Sequence, residues 1–272
     1  MRVSESLVGA AAQLAATSDT PRLDAELLMA HALGTTREEL LLRRLDDPVP
    51  EAFDTLLARR RAAEPVAYIT GRRAFWTIEL EVGPGALVPR PDSEALIEAA
   101  VAHFGEAGPA TILDLGTGPG TLLLAALAEW PGATGLGVDA SAAALAYARR
   151  NADRLGVASR AAFRVRDWTS GLAGPFDLIL CNPPYVEESA RLPRDVAEWE
   201  PAEALFAGAD GLDDYRRLAP ALPPLLAPGG AACVEIGAGQ FDAVASLFRH
   251  AGFTIAAQKD IAGRDRCLIA TR

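Results

Sequence analysis

The tetrapeptide Asn182-Pro183-Pro184-Tyr185 is the stretch of this chain best equipped for chemistry. It follows the apolar residues 178–181, a pattern that predicts a buried strand ending in a turn. The prolines cannot continue a β-ladder, because each lacks a backbone N–H and has a fixed φ. The chain therefore leaves the sheet in a stiff loop with an amide oxygen, unpaired carbonyls and a flat ring. Such a loop suits a planar NH2-bearing group, although the tetrapeptide taken alone is more typical of an ordinary strand-to-loop turn.

A glycine-rich loop is the second candidate site, because it joins a predicted strand at 111–115 to a helix that begins near Thr121. Its members are Gly116, Thr117, Gly118, Pro119 and Gly120. Glycines bring backbone N–H groups close to a ligand, and the positive end of a helix suits a carboxylate. Thr121 stands where the dinucleotide fingerprint has glycine or alanine, and no Gly-Lys-Ser/Thr ending marks a P-loop. The loop fits either a nucleotide-type ligand or a structural turn, and it need not bind phosphate.

Two more predicted strands end in residues that could bind a nucleoside. Asp139 ends the strand at 134–139, where an acidic side chain can accept hydrogen bonds from ribose hydroxyls, or cap the next helix. Asp167 and Trp168 follow the strand at 161–166. Asp167 could accept an amino hydrogen of a base, and Trp168 could present its ring to adenine or belong to the core.

The predicted elements bring these residues together on one edge. From residue 111 onward strands alternate with helices predicted at about 119–130, 141–155, 213–225 and 239–251. This alternation predicts a mostly parallel α/β sheet with its ligand site at the carboxyl ends of the strands. The period of two from Phe75 to Val82, followed by Gly83-Pro84-Gly85, predicts a β-hairpin. Apolar residues at helical spacing predict a small bundle at the start of the chain. We therefore divide the chain into a helical recognition domain (1–73), a hairpin linker (74–91) and a catalytic domain (92–272).

Composition narrows the classes of function. The formal net charge of −10 over 272 residues argues against tight sequence-independent binding to nucleic acid. The three cysteines and three histidines lack the spacing of a disulfide framework or a metal site. The first residues are too polar for a signal peptide, and no apolar run reaches the ~18 residues of a membrane span. We expect a cytoplasmic protein without bound metal.

These motifs together resemble the class I S-adenosylmethionine-dependent methyltransferases. The tetrapeptide resembles that of members that methylate amide or exocyclic amino nitrogens. Within that set the chain resembles the release-factor glutamine N5-methyltransferases, also called the protein methyltransferase C or HemK family. The stretches at 21–28, 64–71, 87–94 and 260–266 are similar to that family as well. Cys181, where the family often has serine, and Pro119 within the glycine loop are mild departures.

The resemblance implies a Rossmann-like, seven-stranded methyltransferase fold with an N-terminal helical domain. It also implies S-adenosylmethionine as cofactor, with the loop from Gly116 to Gly120 against the methionine portion, Asp139 at the ribose and Trp168 near adenine. The implied partner is a class-one peptide-chain release factor, methylated on the glutamine of its Gly-Gly-Gln motif. We expect the enzyme to be a monomer with no direct contact to nucleic acid or membrane.

Our hypothesis for the reaction centres on the tetrapeptide. The Asn182 side-chain oxygen and the Pro183 carbonyl would accept the two hydrogens of the substrate amide, while Tyr185 would pack on the amide plane. Pro184 completes the substrate site, and Asn182 also borders the cofactor. Two alternatives stay open: an N6-adenine methyltransferase acting on DNA or RNA, and a non-catalytic module that binds S-adenosylmethionine. A nicotinamide-dependent enzyme is disfavoured by Thr121 and by the lack of residues for hydride transfer.

Overall fold

A computed structural model describes all residues from 1 to 272, and the chain divides into two compact units. The smaller, helical unit comprises residues 1–72 and 192–200, and the larger unit comprises residues 73–191 and 201–272. No sequence pattern had indicated that residues 192–200, inside the predicted catalytic domain, belong to the helical unit. The functional roles of the predicted domains stay predictions.

Helices and strands are numbered along the chain. The helices are α1 (Val3–Leu14), α2 (Pro21–Leu33), α3 (Arg37–Arg43), α4 (Ala52–Arg61), α5 (Val66–Thr70), α6 (Glu94–Phe104), α7 (Thr121–Glu129), α8 (Ala142–Arg154), α9 (Arg194–Ala197), α10 (Asp213–Leu218) and α11 (Phe241–His250). Short 3-10 turns occupy Pro91–Ser93, Gly105–Ala107, Ala202–Ala204 and Pro223–Leu225. The strands are β1 (Arg72–Phe75), β2 (Ile78–Glu81), β3 (Thr111–Leu115), β4 (Thr134–Asp139), β5 (Ala161–Val165), β6 (Phe176–Cys181), β7 (Leu226–Glu235), β8 (Thr254–Lys259) and β9 (Asp265–Thr271). No helix combines the length and the apolar character needed to cross a bilayer.

The helical unit contains α1–α5 and α9, and α1–α5 contribute to one apolar core. Leu7, Leu28 and Phe53 come from three different helices and are fully or almost fully buried there. α2 begins with a proline at its first position and ends at Gly34, whose φ of 65° is the left-handed conformation that favours glycine.

A buried ion-pair cluster attaches residues 192–200 to this unit. The Arg60 guanidinium contacts the Asp24 carboxylate at 2.7 Å and the Asp195 carboxylate at 3.1 Å. Arg60 and Asp24 are buried, so each charge depends on its partners for compensation. Asp24 lies in α2, Arg60 in α4 and Asp195 in α9, so the guanidinium joins three separate segments of the helical unit.

The larger unit is built on a seven-stranded sheet with the order β5-β4-β3-β6-β7-β9-β8. Neighbouring strands from β5 to β7 run parallel, and only β9 runs antiparallel to β7 and β8. The predicted α/β fold with a mostly parallel sheet is therefore confirmed. The carboxyl ends of β3, β4, β5 and β6 lie along one edge, which is where open parallel sheets bind ligands.

Two local predictions were wrong. The hairpin turns at Trp76 and Thr77, not at residues 83–85, which form a loop without a following strand. Trp76 adopts a φ of 53°, and its backbone N–H donates to a side-chain oxygen of Glu94 at 2.9 Å, so a long-range contact stabilises this turn. The helix predicted at 213–225 ends at Leu218, because Pro220 has no N–H with which to extend it.

Candidate active site

A pocket with a volume of about 590 Å³ opens at this edge of the sheet, within the larger unit. Most of the predicted site residues share its wall: Gly116, Thr117, Gly118, Pro119, Asp139, Asp167, Trp168, Asn182 and Pro184. Gly120, Pro183 and Tyr185 are not among the residues that line it. The fold therefore brings both predicted halves of the site to one cavity.

The glycine loop forms one wall of this pocket. The N–H groups of Gly116 and Thr117 both donate to the Val138 carbonyl at 2.9 Å, which ties the loop to β4. Gly118 has a φ of 55°, and a Cβ added there would meet no protein atom within 4 Å, so this part of the wall faces open space. Gly120 is buried and instead forms the N-cap of α7, with a φ of 89°.

Asp114 lines the same pocket, although the sequence analysis had not selected it. Its Oδ2 accepts hydrogen bonds from the Thr117 hydroxyl at 2.6 Å and from the Leu123 N–H at 3.1 Å. Its Oδ1 is buried and has no hydrogen-bond partner. Burial raises the pKa of Asp114 to about 7, against the two hydrogen bonds, which lower it. A buried acid at the carboxyl end of an apolar strand was the sequence signal that could have identified it.

Asp139 links the loop to the start of α8. Its two oxygens accept the backbone N–H groups of Gly118 and Ser141, each at 2.8 Å. Burial raises the pKa of Asp139, and the backbone hydrogen bonds partly oppose this shift. A carboxylate has about four acceptor sites, so Asp139 keeps capacity for hydroxyl groups of a ligand.

Trp168 and Asp167 have different surroundings. The Trp168 indole N–H donates to an Asp214 oxygen at 3.0 Å, and a Cβ added at Gly116 would lie 3.3 Å from the ring. The ring is therefore fixed beside the glycine loop. Asp167 is exposed, and Arg217 contacts its carboxylate at 2.7 Å.

Asn182 follows β6, and its side-chain amide is held by a residue from another segment. Its Nδ2 donates to the Ser93 hydroxyl at 3.2 Å, which leaves Oδ1 as the acceptor end of the group. Ser93 is buried and also lines the pocket. Ser93 belongs to the stretch 87–94, and no local pattern links two residues as far apart in sequence as Ser93 and Asn182.

Tyr185 is half-buried and held at both its hydroxyl and its backbone. The hydroxyl donates to Oε1 of Glu235 at 3.1 Å, and the Tyr185 carbonyl accepts from the Gln240 side chain at 3.1 Å. Burial and the neighbouring carboxylate raise the pKa of Tyr185, so the ring stays neutral in the physiological range.

The family of the chain follows from comparison with known proteins. Residues 5–71 match the family model described as PrmC N-terminal domain, and residues 92–199 match the model described as Methyltransferase small domain. The chain is 48% identical over 262 residues to the release factor glutamine methyltransferase of Rhodospirillum rubrum, covering 93% of this chain and 80% of that protein. It is 45% identical to the protein of that name from Cereibacter sphaeroides, covering 99% of this chain and 98% of that one. The chain belongs to the release factor glutamine methyltransferase family.

This membership confirms the family resemblance noted from the motifs. Among solved structures, the ribosomal protein L11 methylase from Lactobacillus delbrueckii subsp. bulgaricus superposes with a TM-score of 0.53 at 23% identity, covering 71% of this chain and 83% of that one. That likeness supports the methyltransferase fold of the larger unit. No group of three or more His, Cys, Asp or Glu side chains is arranged to hold a metal ion. The pocket wall carries acidic side chains, among them Asp114 and Asp139, together with the basic side chains of Arg90, Arg166 and Arg217.

Proposed function

We propose that this protein transfers a methyl group from S-adenosylmethionine to the side-chain amide nitrogen of a glutamine. The proposed substrate is the glutamine in the Gly-Gly-Gln motif of a class-one peptide-chain release factor, which would make the protein a modulator of translation termination. One observation supports this most directly: the Asn182 amide, held by Ser93, borders the same pocket as the glycine loop and Asp139. Family membership supports the choice of substrate.

The residues of the pocket fit S-adenosylmethionine. The unpaired Oδ1 of Asp114 is a buried acceptor that suits the ammonium of a methionine moiety, since a buried polar atom gains most from a charged partner. The open wall at Gly118 leaves room for that moiety, and Asp139 would bind the ribose hydroxyls. Trp168 and Asp167 would border the adenine. When bound, the cofactor supplies an electrophilic methyl group on its sulfonium sulfur.

The tetrapeptide would orient the substrate. A glutamine amide nitrogen is a poor nucleophile, because its lone pair is delocalised into the carbonyl. The Asn182 side-chain oxygen and the Pro183 carbonyl would accept its two hydrogens, while Pro184 and Tyr185 would border the amide plane. Each neutral hydrogen bond contributes about 1 kcal/mol net, whereas alignment of the reactants can contribute roughly 7–11 kcal/mol. The main task of these residues is therefore positioning.

Radiolabelled methyl transfer to three purified substrates tests this proposal. These are a class-one release factor, the same factor with its Gly-Gly-Gln glutamine replaced by alanine, and duplex DNA. We expect label on the unmodified release factor alone. Label on DNA, or equal label on both release factors, would contradict the proposed substrate. The net charge of −10 agrees with a protein substrate, because a duplex DNA substrate requires a basic track for the phosphates.

A further inference from the structure

Glu235, at the end of β7, is a buried carboxyl group that none of the roles described so far uses. It is 1% exposed and does not line the pocket. It therefore has no direct access to a ligand in that cavity. Its neighbours, however, include Tyr185 of the tetrapeptide and Ser93, which holds Asn182.

The contacts of Glu235 lead to Tyr185 and, through Ser93, to Asn182. Oε1 of Glu235 accepts the Tyr185 hydroxyl hydrogen at 3.1 Å. The Ser93 hydroxyl, which accepts from the Asn182 amide at 3.2 Å, lies close enough to Glu235 to favour its charged form. One carboxyl group from the sheet thus contacts Tyr185 directly and lies next to Ser93, which holds Asn182.

The charge of Glu235 is only partly compensated by its neighbours, although the group is buried. Its Oε2 has no hydrogen-bond partner of normal geometry. The charged groups nearby are Arg266, which favours the ionised form of Glu235, and Asp92, which opposes it. Arg266 is itself buried, contacts Asp92 at 3.1 Å and Asp260 at 3.4 Å, and leaves its Nε without a partner.

A buried carboxyl group with an unsatisfied oxygen costs stability, because it loses hydration without full replacement. An apolar residue would avoid that cost in this strand, whose preceding residues Ala231, Ala232, Cys233 and Val234 are all fully buried. The acceptor contacts of Glu235 and its attraction to the buried Arg266 are what its geometry offers in return.

We propose that Glu235 is a positioning residue that fixes the Tyr185 ring and the Ser93–Asn182 pair in the orientation needed to hold the substrate amide. The kinetic test of this proposal rests on the proposed function, because it measures methyl transfer. Glu235 would serve that function without touching either the cofactor or the substrate. Alignment is sensitive to small displacements, so loss of this anchor should reduce turnover more than it reduces cofactor binding.

Two substitutions at this position separate positioning from bulk stability. Glu235→Gln keeps an acceptor oxygen for Tyr185 and nearly the same volume, and we expect kcat to stay within about threefold of wild type. Glu235→Ala removes the acceptor, and we expect kcat to fall at least about tenfold while the Kd for S-adenosylhomocysteine changes less than about threefold. Val244→Ala, a buried truncation in the same unit, is the matched control, and its kcat should remain that of wild type. An unchanged kcat in Glu235→Ala would overturn the proposal.

A mutant cycle tests whether Glu235 acts on kcat through the hydroxyl groups of Tyr185 and Ser93. In a background that carries Tyr185→Phe and Ser93→Ala, the Glu235 carboxyl group has no hydroxyl left to hold, while the Tyr215 hydroxyl still donates to the Glu235 backbone carbonyl. Adding Glu235→Ala to that background should change kcat by less than about twofold, although it costs at least about tenfold in the wild-type background. Full additivity of the effects would show that Glu235 acts by another route and would overturn the proposal.

A spectroscopic measurement keeps this test independent of the substrate. The chain has four tyrosines, so fluorotyrosine labelling gives a simple fluorine NMR spectrum in which Tyr185→Phe identifies one resonance. Glu235→Ala should shift or broaden that resonance and leave Tyr147 unchanged, whereas Glu235→Gln should affect it less. An unaffected Tyr185 resonance in Glu235→Ala would refute the positioning role. Failure of the wild type to methylate a release factor would instead refute the proposed function.

Discussion

Replacing Asp114 by asparagine tests the electrostatics of the cofactor half of the pocket. The introduced side-chain amide would keep an oxygen for the Thr117 hydroxyl and the Leu123 N–H, which Asp114 now accepts at 2.6 and 3.1 Å. It would lack the negative charge that we expect to bind the ammonium of the cofactor. The substitution therefore changes the charge while largely preserving the local hydrogen bonds.

The magnitude follows from the pKa of about 7 that burial gives Asp114. Below that pH the carboxyl group is mostly protonated and loses the charge that attracts a cation. We expect S-adenosylhomocysteine to bind wild-type protein about tenfold more weakly at pH 6 than at pH 8, which corresponds to about 1.4 kcal/mol. In the Asp114→Asn variant the affinity should be lower at pH 8 and nearly independent of pH.

Isothermal titration calorimetry at several pH values provides the affinities, and denaturant unfolding provides a second readout. The folded pKa of about 7 lies above the ordinary 3.8, so the native state binds more protons than the unfolded state between these values. This group therefore contributes stability at low pH that is lost as the pH rises towards 7, by up to about 4 kcal/mol. Asp114→Asn should remove that component. A level wild-type affinity from pH 6 to 8, or unfolding curves that respond to pH identically in both proteins, would refute the reasoning.

Three further predictions concern other residues. Asn182→Ala should largely abolish methyl transfer, measured with radiolabelled cofactor. The affinity for S-adenosylhomocysteine, measured by calorimetry, should change less than about threefold. Unchanged turnover would contradict the role of the amide. Asp139→Ala should weaken S-adenosylhomocysteine binding by about tenfold or more, since it removes a carboxylate from the pocket wall, and equal affinity by calorimetry would exclude ribose binding there. Arg60→Ala should lower the free energy of unfolding of the helical unit by about 3–5 kcal/mol, because it leaves the buried Asp24 uncompensated. Denaturant unfolding of the full chain measures that loss, and Arg61→Ala, an exposed neighbour, should change it little.

The sheet and the two halves of the site could be predicted from the sequence because their signals are local. The apolar strand before Asn182 and the glycine loop after Leu115 each show their role within about ten residues. Parallel strands then bring their carboxyl ends together, so the common edge follows from topology. The common pocket for Asp139 and Asn182 is a consequence of these two facts.

The parts that could not be predicted depend on contacts between distant segments. Ser93 and Glu235 contact the tetrapeptide from positions far from it in sequence, and no spacing rule relates them to Asn182 or Tyr185. The turn at Trp76 is similar, because a residue with that bulk rarely has positive φ unless distant groups such as Glu94 hold it. Sequence patterns therefore identified groups that we propose carry the chemistry, and the structure adds how those groups are held.

The path of residues 192–200 has a consequence for dissecting the molecule. The chain crosses from one unit to the other at 72/73, at 191/192 and again at 200/201, so the helical unit is not a continuous N-terminal piece. A proteolytic cut near residue 72 would release a fragment without Asp195, and the Arg60 guanidinium in that fragment would lose one of its two carboxylate partners. The C-terminal fragment would in turn retain the nine residues 192–200, separated from the rest of the helical unit to which they belong. An exchange of helical units between relatives should therefore transplant both segments together.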